Sequence, residues 1–552
     1  MSGRAPGAGA CPSSATRLME FMSTVELVEG RRRWIAAWDE AVAARWLVAL
    51  LAIVVLIPVM TVRTAPLADY VNHLGRMEVL ATLDGNPLLR QFYDVHWQVI
   101  PNLAMDVLVP PLAQVIGVEL AGRLFLGLTL LLTAGGVIAL NRALTGRFAL
   151  VPLAVFPFLY NGIFLYGFAN YLFAMGLAIW AVAAWVKLRE ERPAIRLAAS
   201  SLIVVALFLA HLFGLGLYGL GVLVIELARI RTTWRGGHFW RDGQLVGVQF
   251  LPALALMGLS PTLDLADQFA WKWAAKTEGI QIAITTYFGD VERPLAWMTL
   301  GAVLLLLATR QLVLRAEGWL LLLVGGAVFL AMPAVLFGSD FADQRMPIAL
   351  LCMLLSCATL QPAKPALRAG FLALVAVLTM VRVGGVEAEW LGLSRSYEEM
   401  RDALQHVTPG STILVAEATQ PHGDPVKNLA LSHAPCLALL DRSSFVSTAF
   451  TVSGKQVLTV RPAYNALADR FDGDPPTLED LVRARAAPDG AKPPMFWARW
   501  DSSYDYVFVL YTRGDPNPMP DALELVHSGK GFQIYRVLKD EDRFEPGVAS
   551  TL

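Results

Sequence analysis

The chain has 552 residues, of which 55% are hydrophobic and 16% charged, with a formal net charge of −1 and a mean hydropathy of +0.51. Soluble globular proteins carry about 25% charged residues, so the deficit points to membrane segments. Near-zero net charge leaves no footprint for nucleic acid. Cys11, Cys352, Cys357 and Cys436 show neither metal-ligand spacing nor a disulfide framework.

Residues 1–44 read as a cytoplasmic, largely disordered N-terminus, rich at first in Gly, Ala, Ser and Pro. No short apolar core with a small-residue cleavage site follows the start, so Trp46–Val62 reads as an uncleaved membrane helix. Basic clusters at Arg31–Arg33, Arg142–Arg147, Lys187–Arg196, Arg229–Arg241, Arg310–Arg315 and Lys364–Arg368 set the topology by the positive-inside rule. Trp46–Val62 leads out and Leu120–Leu140 returns; Phe148–Phe164 and Phe168–Val186 form a hairpin. Leu197–Arg229, with basic flanks at both ends, reads as two short helices turning near His211 to Gly216. Val246–Leu259, Leu295–Leu314, Trp319–Phe337, Pro347–Leu360 and Phe371–Val386 complete about eleven spans. Leu103–Gly117 holds Asp106, Pro110 and Pro111 and reads as a helix lying in the outer interface.

This places a transmembrane module at 45–390, with outer loops 64–119, 262–294 and 338–347. Residues 391–552 form an extracytoplasmic α/β domain. In that domain Tyr397–Val407 reads as a helix, Thr412–Ala416, Phe445–Thr451 and Asp505–Tyr511 as strands, and Leu523–Leu538 as a hairpin. No Gly-rich phosphate loop joins a strand to a helix.

The most informative stretch is Pro66 to Arg76 in the first outer loop. If helical, it sets Asp69, His73 and Arg76 at i, i+4 and i+7 on one face. A carboxylate, an imidazole and a guanidinium together can activate a hydroxyl and hold an anionic leaving group. A solvated amphipathic face would show the same spacing. Further polar groups gather in the same loop (Glu78, Asp94, His96, Asn102, Asp106), in 262–294, and in Ser339–Pro347 with Asp340, Asp343 and Arg345. Arg382 lies within the last apolar run, where it should face an anion, the bundle interior or lipid headgroups.

The Asp in the first outer loop, the short membrane hairpins and the outer α/β domain together resemble the GT-C superfamily. These are polytopic glycosyltransferases using polyprenyl-phosphate-linked sugars, such as the aminoarabinose and protein-mannose transferases. Pro66 to Arg76 carries the resemblance best. Pro101-Asn102-Leu103-Ala104-Met105-Asp106, Gly167-Phe168-Ala169-Asn170-Tyr171 and Phe341-Ala342-Asp343-Gln344-Arg345 are similar to blocks of bacterial members.

The resemblance implies inverting transfer at the outer face of a bacterial inner membrane, from a polyprenyl-phosphate sugar to a hydroxyl of a lipid, glycan or protein. Asp69 maps onto the general base, and His73 orients it or bonds the phosphate. Arg76, Arg345 and Arg382 are the candidates for binding the donor phosphate. His96, Asn102, His211 and Tyr287 are candidate substrate contacts, while Trp271 and Trp273 serve sugar stacking or simply mark the interface.

The second outer-loop acid of several members is missing from Tyr160–Gly167, so either one carboxylate suffices or Asp94, Asp106 or Asp343 supplies the other. No metal and no cofactor are expected; the partners are membrane lipids, the lipid-linked donor and the acceptor. His433, in Ser432-His433-Ala434-Pro435-Cys436, reads as a surface or capping histidine. The alternatives are a transporter or flippase of a lipid-linked saccharide, or a non-catalytic envelope assembly protein. A transporter should show midplane charges and related halves, and neither pattern is visible.

Overall fold

The computed structural model describes residues 42, 44–235, 239–361, 365–469, 475–488 and 495–539; the expected disordered N-terminus lies outside them. The chain partitions into two compact units, 1–53 and 54–552. The described part of the first is essentially the start of helix α1 (Ala44–Thr61); all site residues lie in the second.

Among the described residues six helices are long and apolar enough to cross a membrane. They are α1 and five others, which with α2 (Tyr70–Thr82) and α3 (Ala104–Ile116) frame the fold. α4 (Val118–Thr145) packs on α5 (Ala169–Lys187), where a Cβ on Gly176 would stand 2.9 Å from the Thr133 nitrogen, so small residues let the backbones approach.

The expected hairpin at Leu197–Arg229 is α6 (Pro193–Ala210) followed by α7 (Leu212–Ala228). The break is at His211, whose extended backbone and Nδ1, accepting from Phe213 N–H at 3.1 Å, start the second helix. α8 (Gly289–Ala308) buries no residue, as a helix facing lipid would. Shorter apolar helices occupy Val151–Leu165, Ala316–Ala331 and α9 (Met346–Ser356). Val246–Leu259 departs from expectation: the chain there makes two short helices, Phe239–Val248 and Leu251–Gly258, rather than one span.

α10 (Pro365–Leu404) is a single 40-residue helix. The expected span Phe371–Val386 and the expected helix Tyr397–Val407 are therefore one element, since no Gly-Pro or turn signal interrupts the residues between them.

Strands β1 (Tyr93–Val95), β2 (Leu312–Leu314), β3 (Ala358–Leu360), β4 (Thr412–Glu417), β5 (Phe445–Val446), β6 (Leu458–Val460), β7 (Tyr506–Leu510), β8 (Leu523–Gly529) and β9 (Phe532–Val537) make three sheets. The largest has the order β5-β4-β7-β9-β8, parallel on the β5–β4–β7 side and antiparallel on the other. β4 and β7 are buried nearly throughout, as central parallel strands require.

β5 ends earlier than the alternation predicts. After Val446 the chain turns, with Ala449 N–H donating to Val446 C=O at 3.1 Å, and the Thr448 carbonyl accepts from Asn72 at 2.7 Å. The sheet domain thus gives up strand to reach α2. β1 pairs antiparallel with β6, Tyr93 opposite Val460, which ties the first loop to the same domain.

α2 is buried on nearly every side. Val71 and Val79 belong to the sheet-domain core, together with Phe92, Tyr93 and, from α10, Tyr397, Met400 and Leu404. Arg76 faces α3, where its Nε and Nη2 each meet an Asp106 oxygen at 2.9 Å with both side chains 1% exposed. A fork of this kind compensates the desolvation of both charges, whereas one partner left alone is costly. Arg76→Ala or Asp106→Ala should each destabilise the protein by about 3–5 kcal/mol, and Arg76→Met combined with Asp106→Leu should recover most of the loss. Melting in detergent checks this; equal loss in the single and double variants would show that the pair itself is needed.

Candidate active site

A cavity of about 480 Å³ opens between the helices and the sheet domain, and Asp69 lines it. Asp69 occupies the N-cap position of α2, yet its side chain makes no capping bond to the first turn. Its own helix therefore does not consume the carboxylate, which still sits at the helix end where negative charge is stabilised.

The backbone behind Asp69 is pinned. Ala68 and Asp69 N–H groups donate to Leu165 and Tyr166 carbonyls at 3.0 and 3.1 Å. Gly167, at φ +83°, lies so close that a Cβ there would come 2.8 Å from the Asp69 nitrogen. Only glycine satisfies both the conformation and the approach.

His73, one turn on, lines the same cavity. Burial, then Arg76 and His433, push its pKa well below the ordinary 6.5, so the ring is neutral at pH 7. Arg76 is on the same face but about 10 Å along the axis from Asp69, which carries it past the cavity into its pair with Asp106. Neither of those two lines the cavity.

Arg345 does line it. Its guanidinium carbon lies 4.3 Å from the Phe168 ring centre and 5.3 Å from that of Phe213, and Nη2 donates to the Asp340 carbonyl at 3.1 Å. Burial pushes its pKa down to about 10 against the opposing effects of Tyr171, Asp69 and Asp340, leaving it cationic at neutral pH. The Nε is buried and finds no hydrogen-bond partner among the described residues. Lys455 is a second cation at the wall, its Nζ donating to the Gly338 carbonyl at 2.7 Å.

Asn102 and His211 are also in the wall. Asn102 has φ +109° and is held by Asn170, whose Nδ2 donates to its carbonyl and side-chain oxygens at 3.0 and 2.9 Å. Asp343 is buried in an ion pair with Lys276 at 2.8 Å, away from the cavity lining. Arg382 is taken up by Glu292 at 2.9 Å and by the carbonyls of Tyr160 and Ile284. Asp94 meets Arg461 at 3.3 Å, His96 is exposed, and the Tyr287 hydroxyl accepts from Trp390; none of these lines the cavity.

His433 stands differently from its expected surface role. Its Nε2 is 3.7 Å from Asp69 Oδ1, and Asn72 Nδ2 lies 3.1 Å from its Nδ1. The sheet domain also supplies Glu417, Phe450, Lys455, Asp469 and Tyr511 to the wall. Among the described residues no group of three His, Cys, Asp or Glu side chains is arranged to hold a metal ion.

No family pattern matches the sequence, and no curated protein matches it. Among solved structures, the chain is similar to the crystal structure of ArnT from Cupriavidus metallidurans bound to undecaprenyl phosphate. The two are 12% identical with a TM-score of 0.51, over 89% of this chain and 97% of that one. The fold is similar to that of this ArnT structure. A bundle of apolar helices with a C-terminal sheet domain is thus what both sequence and structure give, and the structural correspondence covers 89% of this chain.

The depressed pKa of His73 has a direct consequence. Below about pH 6.5 the unfolded chain binds a proton at this residue that the folded protein refuses, so its contribution makes stability fall as pH drops. Relative to His73→Phe, the native protein should lose melting temperature between pH 7.5 and 5.5. Parallel pH profiles for the two proteins would contradict the burial of a neutral ring.

Proposed function

We propose that the protein is a membrane glycosyltransferase that moves a sugar from a polyprenyl-phosphate donor to an acceptor hydroxyl on the extracytoplasmic face, with inversion. The observation that carries the reading is Asp69 in a cavity that also holds the buried cation Arg345, within the fold of a protein solved with undecaprenyl phosphate. At 25% exposure the Asp69 side chain is open to a ligand in the cavity.

Asp69 takes the proton of the acceptor hydroxyl as its oxygen bonds to the anomeric carbon. The bond from that carbon to the phosphate oxygen breaks, and its electron pair leaves with the polyprenyl phosphate. Arg345 and Lys455 then offset the charge that gathers on the phosphate, a role for fixed cations in a partly dry site. Arg345 is held by aromatic rings and a carbonyl, so little reorganisation accompanies the transfer. Arg76 and Arg382 hold the scaffold instead, since carboxylates already engage both. The second-acid role among Asp94, Asp106 and Asp343 lapses for the same reason: each carboxylate is paired outside the cavity.

The orientation that suits this chemistry puts the N-terminus in the cytoplasm and the sheet domain outside a bacterial inner membrane. No nucleotide donor is available there, and lipid-linked sugars are.

Asp69→Asn should lower transfer from undecaprenyl-phosphate sugars by about 10²–10⁴-fold while leaving the melting temperature unchanged. A fully active variant would remove the base assignment. Reporter fusions after Gly146 should read cytoplasmic and fusions after Tyr397 extracytoplasmic; a cytoplasmic signal at the second site would overturn the donor class.

A further inference from the structure

Asn72 is fully buried, and the turn after β5 fixes which way its amide faces. Phe450 N–H donates to Oδ1 at 2.8 Å, and Nδ2 donates to the Thr448 carbonyl at 2.7 Å. Swapping the two ends would set donor against donor and acceptor against acceptor. The atom 3.1 Å from His433 Nδ1 is therefore the amide nitrogen, a donor, so Nδ1 accepts. A neutral His433 then carries its proton on Nε2, the atom facing Asp69 Oδ1 at 3.7 Å. The Phe450 ring lies edge-on to both His433 and His73, with centres 5.0 and 5.3 Å away, which limits rotation of either imidazole.

We propose that His433, supplied by the sheet domain, is the positioning residue for Asp69. It presents Nε2–H to Oδ1 and fixes the carboxylate plane. A contact of 3.7 Å is longer than a hydrogen bond, and such catalytic contacts tighten when substrate is bound. In the transfer step His433 keeps its proton throughout; the acceptor proton ends on Asp69.

The charges facing the ring from α2 are Asp69, which favours protonated His433, and His73, whose protonation is suppressed by burial and by Arg76 and His433. The rest of the cavity wall adds Arg345, Lys455, Asp340, Glu417 and Asp469. The catalytic consequence rests on the transferase reading, whereas the tautomer and the pairing do not.

The test uses full-length protein in nanodiscs, labelled with ¹⁵N-histidine, with the His433 signals assigned by their loss in His433→Gln. The expected neutral ring is protonated on Nε2, and Asp69→Asn should lower its titration midpoint by about one unit. A ring protonated on Nδ1, or a midpoint indifferent to Asp69→Asn, would overturn the pairing.

In transfer assays His433→Ala should lower kcat by about 10–100-fold with little change in KM, and His433→Gln, which keeps an N–H donor, should recover much of it. Full activity in His433→Ala, where Asp69→Asn is inactive, would overturn the positioning role while leaving the transferase reading intact. A shifted midpoint with no transfer from any donor would leave the pairing standing and remove the transferase reading.

Discussion

α2 is anchored on two sides at once, in the sheet-domain core and by an ion pair to α3, and the geometry of the cavity follows from that double anchoring. On one side Val71, Val79 and the Asn72 amide lock it into the sheet domain; on the other the Arg76–Asp106 fork locks it to α3. The ion pair alone would be weak evidence for stability, since burying one returns little net energy. The joint effect of these contacts is positional. A helix held at both faces cannot rotate or slide, so Asp69 at its first turn has a fixed place relative to groups from both halves of the chain.

Strain gathers around the same place. Asn102, Phe337, Phe341 and Tyr511 have positive φ and all line the cavity; among the described non-glycine residues only Arg310 and Ser443 share that conformation elsewhere. Such backbone costs of order 1–3 kcal/mol per residue and persists only where neighbours over-determine it. Here they do. Asn170 clamps Asn102, and Phe341 packs its ring 4.9 Å from that of Tyr166 while the next residue, Ala342, donates to the Ala334 carbonyl. Concentration of strain at one cavity is what a binding site leads one to expect.

The parts of the fold legible in the sequence were those written locally. Apolar runs with basic flanks foretold the long helices and the break at His211, but not the two short helices that stand where one span was expected at Val246–Leu259. The hairpin expected at Leu523–Leu538 is the β8–β9 pair. The i, i+4 spacing rightly put Asp69 and His73 on one wall, but periodicity describes angle and not depth, so it could not exclude Arg76 two turns along. The block Pro101–Asp106 proved to be two things: Pro101 and Asn102 in the cavity wall, and a partner for Arg76.

His433 was not legible, because its neighbours Asn72 and Asp69 are brought to it only when the sheet domain folds over α2. The one local hint was a β-like run, Phe445–Thr451, longer than the strand it became. Its excess residues are those that grip Asn72.

The continuity of α10 carries a mechanical consequence. A 40-residue helix spans about 60 Å, and it passes from an apolar segment into the sheet-domain core without a hinge. Near its far end Arg401 grips Asp441 of the domain and Glu119 at the head of α4. A tilt of about 5° at the membrane end of such a strut displaces the other end by about 5 Å. Helices adjust their tilt to the thickness of the bilayer around them. A continuous helix has no joint to absorb such a tilt before the sheet domain, and the Arg401 contacts with Asp441 and Glu119 stand where the displacement would arrive.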